Sequence, residues 1–201
     1  MMRRLLLISA AAAAAALLSC TDGAGPSGVP DAQLHIVRQD PTAPALDSTV
    51  ARFWAKVGEG REIRIGYQPP ADTGEDFLRF EVPGDALLRK PDGTAFQAGD
   101  SVQITLTIVD PDSFLVRFEP AGLQFNPNQP ARLKFHYLYA NHDFDGDGVI
   151  DSTDLAIEHR LDLWRRESVG APWFRVGSVK FEELDEIDAN ILSFTEYAIA
   201  W

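Results

Sequence analysis

The chain has 201 residues, of which 45% are hydrophobic and 10% are aromatic, so it can form one domain with a buried core. Its formal net charge of −12 argues against binding of nucleic acid, or of an anionic membrane surface, through a basic patch. Such an acidic chain suits divalent cations as partners. A single cysteine is present, so no disulfide can form within the chain.

The N-terminal residues have the pattern of an export signal. Arg3 and Arg4 form a short positive region, and residues 5–18 form an apolar run that is too short for a membrane-spanning helix. The run ends in Leu17-Leu18-Ser19-Cys20, which resembles the lipobox of bacterial lipoproteins. The alternative is an ordinary signal peptide with a cysteine near its end by chance.

The lipobox resemblance implies that residues 1–19 are a signal peptide and that Cys20 carries a lipid. The protein is then expected in the bacterial cell envelope, attached to a membrane through that lipid. Thr21 follows the cysteine in place of the aspartate that would favour the inner membrane, so the outer membrane is expected. Residues 20–33 are rich in Gly, Pro and Ser and are predicted to be a flexible tether to a domain over residues 34–201.

After the tether, alternating apolar and polar residues predict a series of short strands. The alternation is clearest at 102–108, and related patterns occur at 53–57, 62–67, 78–82, 114–118, 132–139, 161–163, 173–176 and 191–201. Proline-containing turns separate many of these runs, at 68–70, 90–93, 110–112 and 126–128. Many short strands without a long helical pattern predict a mainly β fold, an antiparallel β-sandwich, with Phe114 and Phe118 in its core.

One acidic segment, residues 143–154, departs from the strand pattern. Calcium takes six to eight oxygen ligands, which an EF-hand loop supplies from positions 1, 3, 5, 7, 9 and 12, with glycine at position 6. Gly148 stands at position 6, and the six ligand positions hold Asp143, Asp145, Asp147, Val149, Asp151 and Asp154. Val149 would contribute its backbone carbonyl, and Asp151 would act through a water molecule. The spacing therefore predicts a Ca²⁺ site.

This loop resembles the calcium loop of dockerins, in which aspartate is usual at the last position, here Asp154. Residues 155–161 resemble the helix that follows a dockerin loop. Dockerins carry two such repeats and this chain has one, so binding of a cohesin is not expected. Ile150, at position 8, is predicted to pack inward and anchor the loop to the core. The alternative is an acidic turn that binds no ion.

The segments around the loop resemble a bacterial ZU5-like β-sandwich. The matching segments are 80–87, 118–125, 130–135, 173–178 and 192–198, with Pro-Gly-Asp-Ala-Leu at 83–87 and Ser-Phe-Thr-Glu-Tyr-Ala at 193–198. The resemblance covers roughly residues 76–201 and implies an interaction module without a catalytic set. It places the calcium loop and a short helix as an insertion between two strands.

No motif for catalysis is apparent: Gly-x-Ser-x-Gly, HExxH and phosphate-binding loops are absent, and the four histidines lack zinc-ligand spacing. The sequence thus predicts a lipid-anchored, calcium-binding envelope protein that acts as a non-catalytic interaction or structural module, with a protein partner that it does not identify. The alternative is a carbohydrate-binding module, for which Trp54, Trp164 and Trp201 are the candidate aromatic residues.

Overall fold

The computed structural model describes residues 28–68 and 76–201. The predicted signal peptide 1–19, the predicted lipidation site Cys20, tether residues 21–27 and part of the predicted turn at 68–70 lie outside these residues. Within the described residues the chain is mainly β, with one α-helix and two short 3₁₀ turns.

Most strands are joined by short connections, and the longest connection contains the helix. In chain order they are β1 Val50–Lys56, β2 Arg61–Gly66, β3 Asp76–Val82, β4 Leu87–Arg89, β5 Ser101–Ile108, β6 Leu115–Glu119, β7 Gln124–Phe125, β8 Ala131–His136, β9 Asp162–Arg166, β10 Phe174–Arg175, β11 Val179–Phe181, β12 Glu186–Ile191 and β13 Glu196–Ala200. The helix α1 spans Ser152–Glu158, and the 3₁₀ turns span Asp31–Gln33 and Glu182–Leu184.

Two antiparallel sheets form the sandwich. One sheet has the order β1-β5-β6-β13-β9-β10, and the other has the order β11-β12-β8-β3-β2. Strands β4 and β7 form a separate two-stranded ribbon. The predicted mainly β, antiparallel sandwich is therefore confirmed. Helix α1 is inserted where the chain passes from β8 in one sheet to β9 in the other.

The core lies between the sheets and is rich in phenylalanine. Phe80 of β3 contacts Phe118 of β6 with ring centroids 4.7 Å apart, and Phe77 stacks on Phe114 at 5.0 Å. Phe114 and Phe118 are 0% and 1% exposed, which confirms their predicted core position. Side chains alternate in direction along a strand, so every second residue of these strands reaches this layer.

The N-terminal segment, residues 28–39, packs against the six-stranded sheet. Val29 exchanges two backbone hydrogen bonds of 2.8 Å with Trp173, and Leu34 joins Trp173 in a second, smaller apolar cluster. The structure therefore places residues 28–33, the last part of the predicted tether, against the sheet. They pack because the surface around Trp173 is apolar and is removed from water by this contact.

Buried charges join the N-terminal segment to the sheet. Glu196 is 3% exposed and pairs with Arg117 on one side and with Arg166 on the other, where Nε and Oε2 are 2.5 Å apart. Arg166 also pairs with Asp31 at 2.7 Å, and its guanidinium lies 4.6 Å from the ring centre of Trp173. A hydrogen bond from the Trp173 indole and the charge of Arg166 hold the pKa of Asp31 below its ordinary value.

Strand β8 ends at His136, three residues before the end of the predicted alternation. The next residue, Tyr137, is buried and donates its backbone N–H to the carbonyl of Asp185 at 2.7 Å. A turn closed by the Ala140 N–H to the Tyr137 carbonyl then directs the chain away from the sheet. This turn fixes the point at which the acidic loop begins.

Replacing Glu196 by alanine should lower the free energy of unfolding by about 3 kcal/mol, the lower end of the range for breaking a buried ion pair, because Asp31 still pairs with Arg166. The matched control is Glu62→Ala, whose pair with Arg64 is largely exposed and should cost less than about 1 kcal/mol. Urea unfolding measures both. Equal unfolding midpoints for the two variants would contradict a stabilising role for the buried network.

Candidate metal centre

The acidic loop lies at one end of the sandwich, and two contacts hold its base. Gln39 of the N-terminal segment forms a β-bridge with Ala140, just before the loop. Phe144, at the second loop position, is 8% exposed and packs edge-on against Trp201 with ring centroids 5.6 Å apart. The loop therefore starts from a fixed position although most of its remaining residues are exposed.

Ile150 does not anchor the loop, contrary to the prediction. Ile150 is 70% exposed, whereas Phe144 is buried. Ile150 directly precedes the helix cap Asp151, and Leu155 is the fourth helical residue. Apolar residues at these two positions of a helix start commonly pack together.

Three of the predicted ligands come together in the loop. One carboxylate oxygen from each of Asp143, Asp145 and Asp147 lies within 4.8 Å of the others. In the described part of the chain, these three carboxylates form the cluster that could hold a metal ion. The donors are hard oxygens, which suit a hard divalent cation such as Ca²⁺ or Mg²⁺.

Local hydrogen bonds place these carboxylates. The Asp147 N–H donates to Asp145 Oδ1 at 3.1 Å, and the Val149 N–H donates to Asp147 Oδ1 at 2.8 Å. The Gly148 N–H reaches back to Asp143 Oδ2 at 3.0 Å. Gly148 has a φ of 87°, a conformation that costs glycine little, which explains why glycine stands at this position. The backbone thus wraps around the acidic cluster.

One carboxylate oxygen in this cluster lacks a partner. Asp143 Oδ1 is buried, and no donor among the described residues reaches it. A buried polar atom without a hydrogen bond costs about 1–3 kcal/mol, and more when it is charged. A cation bound among the three carboxylates would supply the missing interaction, so the donor set fits a divalent metal ion.

Repulsion between like charges in the cluster acts on Asp145. The Asp147 N–H lowers the pKa of Asp145, but partial desolvation and the negative charges of Asp147, Asp154 and Asp143 outweigh it and raise that pKa above its ordinary value. Like charges at short range disfavour ionisation of each other. A divalent cation would remove this repulsion.

Asp151 and Asp154 lie outside this group of three and organise the start of α1. Asp151 caps the helix by accepting the Thr153 N–H at 2.7 Å. Asp154 is 2% exposed and accepts the backbone N–H groups of Asp151 at 2.9 Å and Phe144 at 2.6 Å, among others. Together these hydrogen bonds lower the pKa of Asp154 despite its burial, and the bond from Asp151 has the largest effect.

Helix α1 consequently starts earlier than the dockerin resemblance implies. It begins at Ser152, directly after the cap at Asp151, and ends at Glu158 instead of 161. The side chain of Val149 is exposed, and its carbonyl is the predicted contribution to the ion. Two residues near the loop had no part in the prediction: Phe144, which anchors it, and Asn141, whose Oδ1 accepts the Asp143 N–H at 3.1 Å.

The three tryptophans of the carbohydrate alternative have different environments. Trp164 is 9% exposed within the second apolar cluster, so it offers no open ring face. Trp54 is 57% exposed on β1, at the edge of the six-stranded sheet. Trp201 is partly buried beside the acidic loop and stacks on His35.

Comparisons with protein-family models, with curated proteins and with solved structures found no match to this chain. The resemblances to ZU5-like domains and to dockerin loops therefore stay predictions from the residues. Among the described residues, no helix has the length and apolar character that crossing a membrane requires.

In calcium-free solution, the Asp145 carboxyl should titrate at a higher pH than that of Asp154. Because its folded pKa is raised, Asp145 destabilises the fold as pH rises through that pKa. Asp154, with a lowered pKa, stabilises the fold above about pH 3.9 and loses this contribution as pH falls through its folded pKa. Carboxyl ¹³C NMR measures both, with Asp92, an exposed turn residue of lowered pKa, as reference. A lower pKa for Asp145 than for Asp154 would contradict the repulsion between like charges at Asp145.

Proposed function

We propose that this protein is a lipid-anchored, calcium-binding component of the bacterial cell envelope that acts as a non-catalytic interaction or structural module. The observation that carries the proposal is the loop 143–154, in which three carboxylates converge and one buried oxygen, Asp143 Oδ1, lacks a partner. Asp143, Asp145 and Asp147 would hold the ion, and the ion would neutralise their charges.

Calcium is preferred to magnesium because of the character of the site. Calcium accepts six to eight oxygens in flexible geometry, whereas magnesium requires a near-ideal octahedron and gives up its water reluctantly. Three carboxylates on an exposed loop leave several coordination places for a backbone carbonyl, water or an external ligand. A loop of this kind tolerates the irregular geometry of calcium better than the strict geometry of magnesium.

The ion would stabilise the whole sandwich because the loop joins β8 of one sheet to β9 of the other. Extracellular calcium modules bind at about 10⁻⁴–10⁻³ M. With a dissociation constant of about 10⁻⁴ M and about 1 mM free calcium, linkage gives a stabilisation of about 1.4 kcal/mol. This corresponds to a rise of a few degrees in melting temperature for a domain of this size.

The calcium proposal is tested by melting curves in 1 mM calcium and in chelator, with Asp145→Asn as the variant. Asparagine keeps the hydrogen bond from the Asp147 N–H but removes the charge, so the calcium-induced rise should largely disappear. In chelator this variant should melt at the same temperature as the wild type or higher, because repulsion is relieved.

The matched control is Asp92→Asn, since Asp92 makes the same type of turn with Thr94 but lies outside the loop. It should retain the full calcium-induced rise. Magnesium at 1 mM should produce a much smaller rise than calcium. Superimposable wild-type curves with and without calcium, together with no heat in calorimetric titration, would leave the loop as an acidic turn without an ion.

The lipid anchor rests on Leu17-Leu18-Ser19-Cys20, with Thr21 favouring the outer membrane. The nine residues from Cys20 to Gly28 are joined by eight Cα–Cα steps and can span at most about 28 Å, which would keep the domain near the membrane. Val29 pairs with Trp173 beside the Arg166 end of β9, whereas the acidic loop and α1 lead into its other end at Asp162. The loop would therefore face away from the anchor.

Replacing Cys20 by alanine should abolish incorporation of labelled fatty acid and leave the protein unprocessed, because the thiol is the site of lipid attachment. Thr21→Ser keeps the cysteine and should be labelled like the wild type. Metabolic labelling followed by membrane fractionation measures both variants. Equal fatty-acid incorporation in Cys20→Ala and the wild type would refute the lipoprotein assignment.

A further inference from the structure

A cleft of about 310 Å³ lies between the N-terminal segment and the acidic loop. This volume is at the lower end of the range for small-molecule sites, about 300–1,000 Å³. Aromatic and polar residues line it: His35, Arg38, Asn141, Asp143, Phe144 and Trp201. An aromatic wall with a few convergent polar groups is the usual composition of a ligand site.

The aromatic wall is held in place by backbone contacts. Trp201 stacks on His35 with ring centroids 5.3 Å apart and an interplanar angle of 20°. Each of these residues donates its backbone N–H to the carbonyl of the other, at 3.2 and 3.3 Å. Phe144 meets Trp201 edge-on. The polarised C–H bonds on the face of a sugar ring are attracted to the negative face of such aromatic rings.

The polar wall offers groups that recognise oxygens. The side chain of Arg38 is 59% exposed and pairs with Asp110 at 3.3 Å and Asp112 at 3.8 Å, both also solvent-accessible. A guanidinium has five donors in a fork that matches a carboxylate, so it can bind a further acidic group. Asn141 adds a side-chain amide to the same wall.

Asp143 belongs both to the cleft and to the acidic cluster. A ligand in the cleft would therefore lie beside the ion. Three carboxylates supply at least three of the six to eight oxygens that calcium takes, and external oxygens can fill places that remain. A carboxylate or hydroxyl oxygen from a ligand meets this need.

We infer that the cleft binds a sugar acid in a calcium-dependent manner. The ring of the sugar would pack against the aromatic wall at Trp201, and the carboxylate of the sugar would interact with Arg38 and the bound ion. A carboxylate-bearing sugar is favoured over a neutral one because a guanidinium and a divalent cation flank the cleft in an otherwise acidic protein. The inference rests on the proposed calcium site, and it gives that site a ligand on the side facing away from the membrane anchor.

The test compares methyl β-D-glucuronide with methyl β-D-glucoside, which differ only at C6, where the first has a carboxylate and the second a hydroxymethyl group. Saturation-transfer NMR and calorimetry on the detergent-purified protein measure binding in 2 mM calcium and in chelator. The glucuronide should bind at least tenfold more tightly than the glucoside, and chelator should abolish its binding. Trp201→Ala and Arg38→Gln should each weaken binding at least tenfold, whereas Trp54→Ala, which removes an exposed tryptophan elsewhere, should have no effect.

The outcomes separate the two proposals. Calcium binding with its melting shift, but no saturable glucuronide signal at 20 mM, would overturn the sugar-acid inference and leave the calcium site standing. Equal binding of the glucuronide in calcium and in chelator would also overturn it. Absence of calcium binding would overturn both. Arg38→Gln changes an exposed side chain and should retain the calcium-induced melting shift, so loss of glucuronide binding in that variant reports on the cleft.

Discussion

Aromatic packing between the two sheets is the interaction on which the rest of the molecule depends. The described residues contain no cysteine, so packing and hydrogen bonds must hold the sheets together. Phe80 contacts Phe118 of the other sheet and Phe194 of the connection between β12 and β13, with ring centroids 4.7 and 5.9 Å away, and all three are nearly fully buried. This contact fixes the sheets face to face and thereby the position of every loop that passes between them.

The acidic loop owes its position to that arrangement. It follows the turn at which Tyr137 leaves one sheet, and helix α1 connects it to Asp162, where β9 starts in the other sheet. Phe144 at its base packs on Trp201, and Asp154 at its end accepts backbone N–H groups from both ends of the loop. The acidic residues are thus held close together despite their like charges, and a bound cation would offset this repulsion.

The N-terminal segment links this end of the sandwich to the opposite one. Asp31 forms an ion pair with Arg166, and Val29 forms a β-bridge close to this pair. Gln39 forms a β-bridge beside the acidic loop. The segment covers an apolar patch at its start and forms one wall of the cleft at its end. The segment, of which only residues 28–33 have linker-like composition, therefore contributes both to stability and to the candidate ligand site.

The sequence by itself determined the class of fold and the acidic cluster. Alternation specifies which face of a strand is buried, and bonds between near neighbours such as Gly148 N–H to Asp143 bring the aspartates together. Only the tertiary structure decided that Phe144 rather than Ile150 is buried, and that residues 28–33 pack around Trp173. These outcomes depend on partners far away in the chain, and local periodicity and composition carry no information about such partners.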